Sequence, residues 1–87
     1  MPKILFRVEI FQEDDLYISL CPELNVSSFG TTIDEARHSL HEAVEAFTEE
    51  CTATGTLEDV MEEAGFVKEH DTWISRKPIT EELLSVG

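Results

Sequence analysis

The chain has 87 residues, 41% hydrophobic and 29% charged, with 19 acidic side chains against 6 basic ones and a formal net charge of −13. That length fits one domain near the lower limit of unaided folding, where surface covered by a partner subunit matters to stability. So acidic a surface repels phosphate, which argues against autonomous nucleic-acid binding; two cysteines make no disulfide framework, and no apolar run approaches the length that spans a bilayer.

Acid is concentrated where base is scarce. Residues 8–67 hold 15 acids and a single base, Arg37, whereas Lys3 and Arg7 precede that stretch and Lys68, Arg76 and Lys77 follow it. Such a field steers a basic protein inward, although acidity also serves plain solubility. No charged-then-apolar leader opens the sequence, so a cytoplasmic protein with reduced thiols and no membrane contact is expected.

Ile4, Phe6, Val8 and Ile10 alternate with Leu5, Arg7, Glu9 and Phe11, the period of a half-buried strand. Beyond the charged turn Glu13-Asp14-Asp15, Leu16, Ile18 and Leu20 repeat the alternation, so residues 4–20 are predicted to form an antiparallel hairpin. Pro22 lacks the ladder donor and ends the second strand near Cys21. Asn25 to Phe29 forms a short third strand, and Gly30 supplies a backbone geometry that a side chain would resist.

Thr32-Ile33-Asp34-Glu35 is a capping box, in which hydroxyl and carboxylate satisfy two free amides at a helix start. Ile33, Ala36, Leu40, Ala43, Val44, Phe47 and Cys51 then fall on one helical stripe, with His38, His41, Glu42, Glu45 and Glu49 on the solvated side. The helix is predicted to end near Thr54 with Gly55 as a left-handed cap, and to lie across the sheet, leaving the other sheet face partly bare. A second helix begins at Thr56, again with an acid three residues on (Asp59). It carries Leu57, Val60, Met61 and Ala64 on its apolar stripe and stops at Gly65. Phe66–Lys68 and Thr72–Ile74 are extended on either side of a Glu69-His70-Asp71 turn. Pro78 breaks the chain before Thr80–Leu84, a segment compatible with either a helical turn or an edge strand. The sum is an α+β domain: a three-stranded antiparallel sheet packed on one long helix (βββα) over residues 1–55, and a C-terminal helix–strand extension of the same domain over residues 56–87.

The run from Tyr17 to Ala36 (strand, proline-broken turn, strand, glycine turn, capped helix) is similar to the core of the HicB-type antitoxin family. Leu40, Glu42, Ala43, Phe47 and Glu49 continue the likeness, as in the family's L-x-E-A-x-x-x-F-x-E helix. The resemblance spans about residues 4–50. It implies a partial RNase H-like fold and a role as the antitoxin of a type II toxin–antitoxin pair, binding and occluding a small basic HicA-like RNase toxin. Many members carry a further DNA-binding helix-turn-helix or ribbon-helix-helix. Nothing of that composition follows Gly65, so a short form without direct nucleic-acid binding is expected. Glu42, Glu45 and Glu49 are expected to steer the partner, and Phe66 and Trp73 to anchor it, with Trp73 folding back over the bare sheet face as the equal alternative. Bare face and open edges together predict a homo-oligomer.

Two other classes compete with that reading. Enzymes on related frameworks hold metals with strand and helix carboxylates, and Glu9, Glu23 and Glu35 are the nearest candidates here. Glu35 has a capping role, Glu23 sits in a turn, and Glu9 lies opposite Phe6 and Val8, so a residual nuclease ranks behind a stand-alone HicB-like oligomer without a toxin. His38 and His41, with Glu42 and Glu45, have spacing that one divalent ion accepts, but exposed histidines paired with glutamates account for them. Cys21 has no neighbouring cation to lower its pKa, and Cys51 belongs to the core stripe. No catalytic residue, cofactor or metal is expected.

Overall fold

In the computed structural model, which describes residues 2–87, the alternating N-terminal segment is divided between two sheets. β1 (Lys3–Leu5) pairs in parallel with β6 (Thr72–Ile74), whereas β2 (Glu9–Glu13) pairs antiparallel with β3 (Leu16–Cys21). The hairpin predicted over residues 4–20 therefore begins at Glu9, and Phe6, Arg7 and Val8 form an unpaired link. The reason is physical. Ile4, Phe6, Val8 and Ile10 are all partly buried, so the apolar set reads as one strand through the link, although Arg7 and Glu9 are partly buried there as well. Burial periodicity reports which face is inward and is blind to which strand completes the ladder.

β4 (Val26–Gly30) completes the antiparallel sheet in the order β2-β3-β4. Its two turns each place a polar residue in the left-handed region, Asp14 at φ 55 and Asn25 at φ 54, residue types that tolerate that conformation. α1 (Ile33–Ala53) lies across one face of this sheet. The Ser19 hydroxyl donates to the Ala36 carbonyl at 2.7 Å, and Ser19 and Cys21 are fully buried. Period two then puts Tyr17, Ser19 and Cys21 beneath the helix and turns Leu16, Ile18 and Leu20 to the other face. Where α1 comes closest, this side carries small residues, Ser19 with Ser28 and Gly30 on β4. A Cβ at Gly30 would stand 2.6 Å from the Ala36 amide nitrogen.

The start of α1 departs slightly from the predicted box. Thr32 Oγ1 accepts from the Glu35 amide at 3.0 Å, but the Glu35 carboxylate reaches back to the Thr31 amide and hydroxyl rather than to the amide of Thr32. Its buried stripe is Ala36, Leu40, Val44, Thr48 and Cys51. The Thr48 hydroxyl is satisfied by the Glu45 carbonyl at 3.0 Å, while Ile33 stays 46% exposed. At the far end the Thr56 amide donates to the Cys51 carbonyl and the Gly55 amide to that of Thr52, with Gly55 at φ 72, a Schellman closure.

α2 (Leu57–Glu63) follows at once and ends on the same device, with Phe66 donating to Met61, Gly65 to Glu62, and Gly65 at φ 90. Thr56 makes no side-chain cap for α2; its hydroxyl faces Thr54 and the Cys51 carbonyl, because the residue is already engaged in closing α1. β5 (Val67–Glu69) and β6 form a hairpin whose turn residue His70 has φ 55. The two extended segments expected on either side of the Glu69-His70-Asp71 turn are thus a hairpin, and it takes β1 as its third strand in the order β1-β6-β5.

Two clusters fill the interior. Cys21, Leu40 and Val44 lie between the first sheet and α1, while Met61, Phe66 and Trp73 lie between α2 and the second sheet; Phe6 and Leu24 pack against both. Residues 79–87 carry no regular structure and are exposed throughout.

Candidate functional site

α1 presents its polar side to solvent along its 21 residues. Helical spacing places Glu42, Glu45 and Glu49 at i, i+3 and i+7, hence on one face, and all three are exposed. Glu42 receives the Nε2 of His38 at 2.8 Å. Arg37, the one base on the helix, is taken up by Asp34. Among the described residues no lysine or arginine pairs with Glu42, Glu45 or Glu49. The three carboxylates therefore form a standing negative strip on a rigid support. His41 lies at the edge of the strip with its ring centroid 6.5 Å from that of Phe6.

Phe66 and Trp73 are not surface anchors. They are 5% and 3% exposed and pack with Met61, so the expectation that they hold a partner directly is corrected. Nor does Trp73 cover the bare sheet face, since it sits on β6 in the second sheet, with the Lys68 ammonium 5.4 Å from its ring centroid. Parallel pairing with β1, which brings Ile4 against Trp73, removes the indole from solvent.

The carboxylates weighed for metal chemistry are engaged separately. Glu35 caps α1, Glu9 lies on the open face of β2 opposite Leu20, and Glu23 accepts from the Ser75 hydroxyl and lies 3.7 Å from Arg7 Nε. Among the described residues no group of three or more histidine, cysteine or acidic side chains is placed to hold a metal ion. Both cysteines are free and buried. Burial, above all, pushes the Cys21 thiol up from its ordinary value.

Two features escaped the sequence reading. One is a cleft of about 320 Å³ where Arg7, Arg76 and Lys77 converge beside Glu23 and Gly65. It gathers three of the chain's six bases, brought together from positions far apart in the sequence. The other is the make-up of the sheet face expected to stay partly bare. Register puts Phe11, Ile18 and Phe29 in one row across the three strands, with Leu16 and Leu20 beside them. The alternation in β3 carried that signal, but nothing local said which side α1 would take.

No family model matches the chain, and neither a curated protein nor a solved structure shows significant similarity to it. No helix among the described residues is long and apolar enough to cross a membrane.

Proposed function

We propose that this chain is a short HicB-type antitoxin, acting in the cytoplasm as a homo-oligomer, that binds a small basic RNase toxin of the HicA-like kind and occludes it. Three antiparallel strands running into one long helix have the βββα order that the resemblance implies, which supports the reading. The observation that carries it is the strip of Glu42, Glu45 and Glu49 on an exposed helix face, with no lysine or arginine partner among the described residues. Aligned carboxylates without countercharges attract a cationic surface and orient it before contact. With Phe66 and Trp73 buried, these two residues support the framework behind the docking face rather than touch the partner.

The test is association kinetics, at two salt concentrations, with the protein encoded by the neighbouring reading frame, beside a toxicity-rescue assay in cells. Charge acts mainly on the association rate. Replacing Glu42, Glu45 and Glu49 together by glutamine is expected to slow association roughly tenfold at low salt and to flatten its salt dependence, with dissociation little changed. A neighbour that binds no better than an unrelated basic protein of equal size, and that co-expression does not neutralise, would leave the stand-alone oligomer as the function.

A further inference from the structure

The chain leaves large apolar side chains in water at two places. On the open sheet face Phe11, Leu16 and Phe29 are 54%, 38% and 61% exposed, beside the half-buried Ile18 and Leu20. In the C-terminal segment Ile79, Leu83 and Val86 are fully exposed and Leu84 is 89% exposed. Contiguous apolar surface of this kind marks a docking site on a small soluble domain. The two patches also match in charge. Glu9 and Glu13 share the open face, and Asp14 and Asp15 form the adjoining turn. The segment is preceded by Arg76 and Lys77, neither of which has a carboxylate partner among the described residues.

We propose that residues 79–86 of one copy cover the open face of β2-β3-β4 of a second copy, in a reciprocal exchange of C-terminal segments. Within its own chain the segment is held only at Glu81, which accepts from Arg7 at 3.1 Å, and its apolar side chains find no neighbours there. Its sequence is suited to docking. Wound as a helix, Ile79, Leu83 and Val86 share a narrow stripe, with Glu81 and Glu82 off it. Glu81 and Glu82 then fall in the first turn, where acids suit the helix start. A twofold pair of such contacts buries on the order of 1,000 Å², the threshold for a specific interface, and reciprocity closes the assembly at two copies. Arg76 and Lys77 then meet the acidic rim and offset the repulsion between two chains of like charge.

This deepens the self-association in the proposed function and does not depend on a toxin. The experiment is sedimentation equilibrium of the full chain across the micromolar range, with Leu83→Asp in the segment, Phe29→Asp on the sheet and Ala46→Asp as the control. Ala46 is exposed on α1, which lies on the sheet face opposite the open one. Folding of each variant is checked by emission of the buried Trp73. The wild type and the control are expected to be dimers, and Leu83→Asp and Phe29→Asp are each expected to raise the dimer dissociation constant tenfold or more. A dimer indifferent to Leu83→Asp overturns the exchange and leaves self-association standing. A wild-type monomer overturns both, and if its melting temperature falls on Leu83→Asp, the segment covers its own sheet.

Discussion

At Gly30 the first turn of α1 comes down onto β4 with no room for a methyl group. An added Cβ would meet the Ala36 amide nitrogen and the Glu35 Cβ, each at 2.6 Å, and backbone cannot step aside as a flexible side chain does. Gly30→Ala is therefore expected to cost about 1–3 kcal/mol, in the range of overpacked cores, measured as a lower urea midpoint at unchanged slope. The sequence marked this glycine as special for the wrong reason. Its φ is not in the left-handed region, unlike those of Gly55 and Gly65, and what it supplies is space. The thiols are a second residue-scale case. Cys21 and Cys51 are 0% and 7% exposed, so neither is expected to react with a disulfide reagent at mildly alkaline pH until denaturant opens the chain, when both react. The raised Cys21 pKa has a defined sign. The folded chain keeps a proton that the unfolded chain has already released. The linked stability is full below the unfolded thiol's pKa and is lost as pH rises through the folded value.

The elements themselves were largely legible, and what was not legible came from distance. The helical phase of α1 placed Glu42, Glu45 and Glu49 outward, because one periodic element settles its own polar face. Period two in β3 established that the strand has two faces without telling which one α1 covers. The bulkier face, with Leu16, Ile18 and Leu20, is the uncovered one, because the helix approaches so closely that Ser19, Ser28 and Gly30 must lie beneath it. The fate of Phe66 and Trp73 was hidden for a different reason. Their burial follows from the pairing of Ile4 with Trp73 across most of the chain, and no local pattern encodes a parallel partner. At the junction of the helices, Thr56 has the composition of a cap for α2 but is spent on closing α1, a conflict invisible until both ends are known to adjoin.

On the scale of the molecule, two small clusters behave as one core only where they are joined. Phe6 and Leu24 touch both, and Phe6 does so from the link between β1 and β2. Phe6→Ala is expected to lower stability by about 3 kcal/mol, the low end for a core ring because Phe6 is only partly buried. The single tryptophan reports the second cluster and helical circular dichroism reports α1, so the two urea transitions are expected to coincide in the wild type and to fall together in the variant. Transitions that separated would show two independent units instead of one cooperative domain.

The parallel pairing of β1 with β6 also fixes an order of events during synthesis. Lys3–Leu5 are made well before their partners Thr72–Ile74, with β2, β3, β4, α1, α2 and β5 in between. A chain emerging from its amino end can assemble β2, β3, β4 and α1 as they appear, from neighbours close in sequence. β1 must meanwhile wait, with its ladder groups open, until the six elements between it and β6 have been translated. Closure of the second sheet is thus an act of completion. A truncated nascent chain lacking β6 leaves that edge free for any extended segment it meets, and the window in which it is vulnerable is as long as the translation of everything between the two strands.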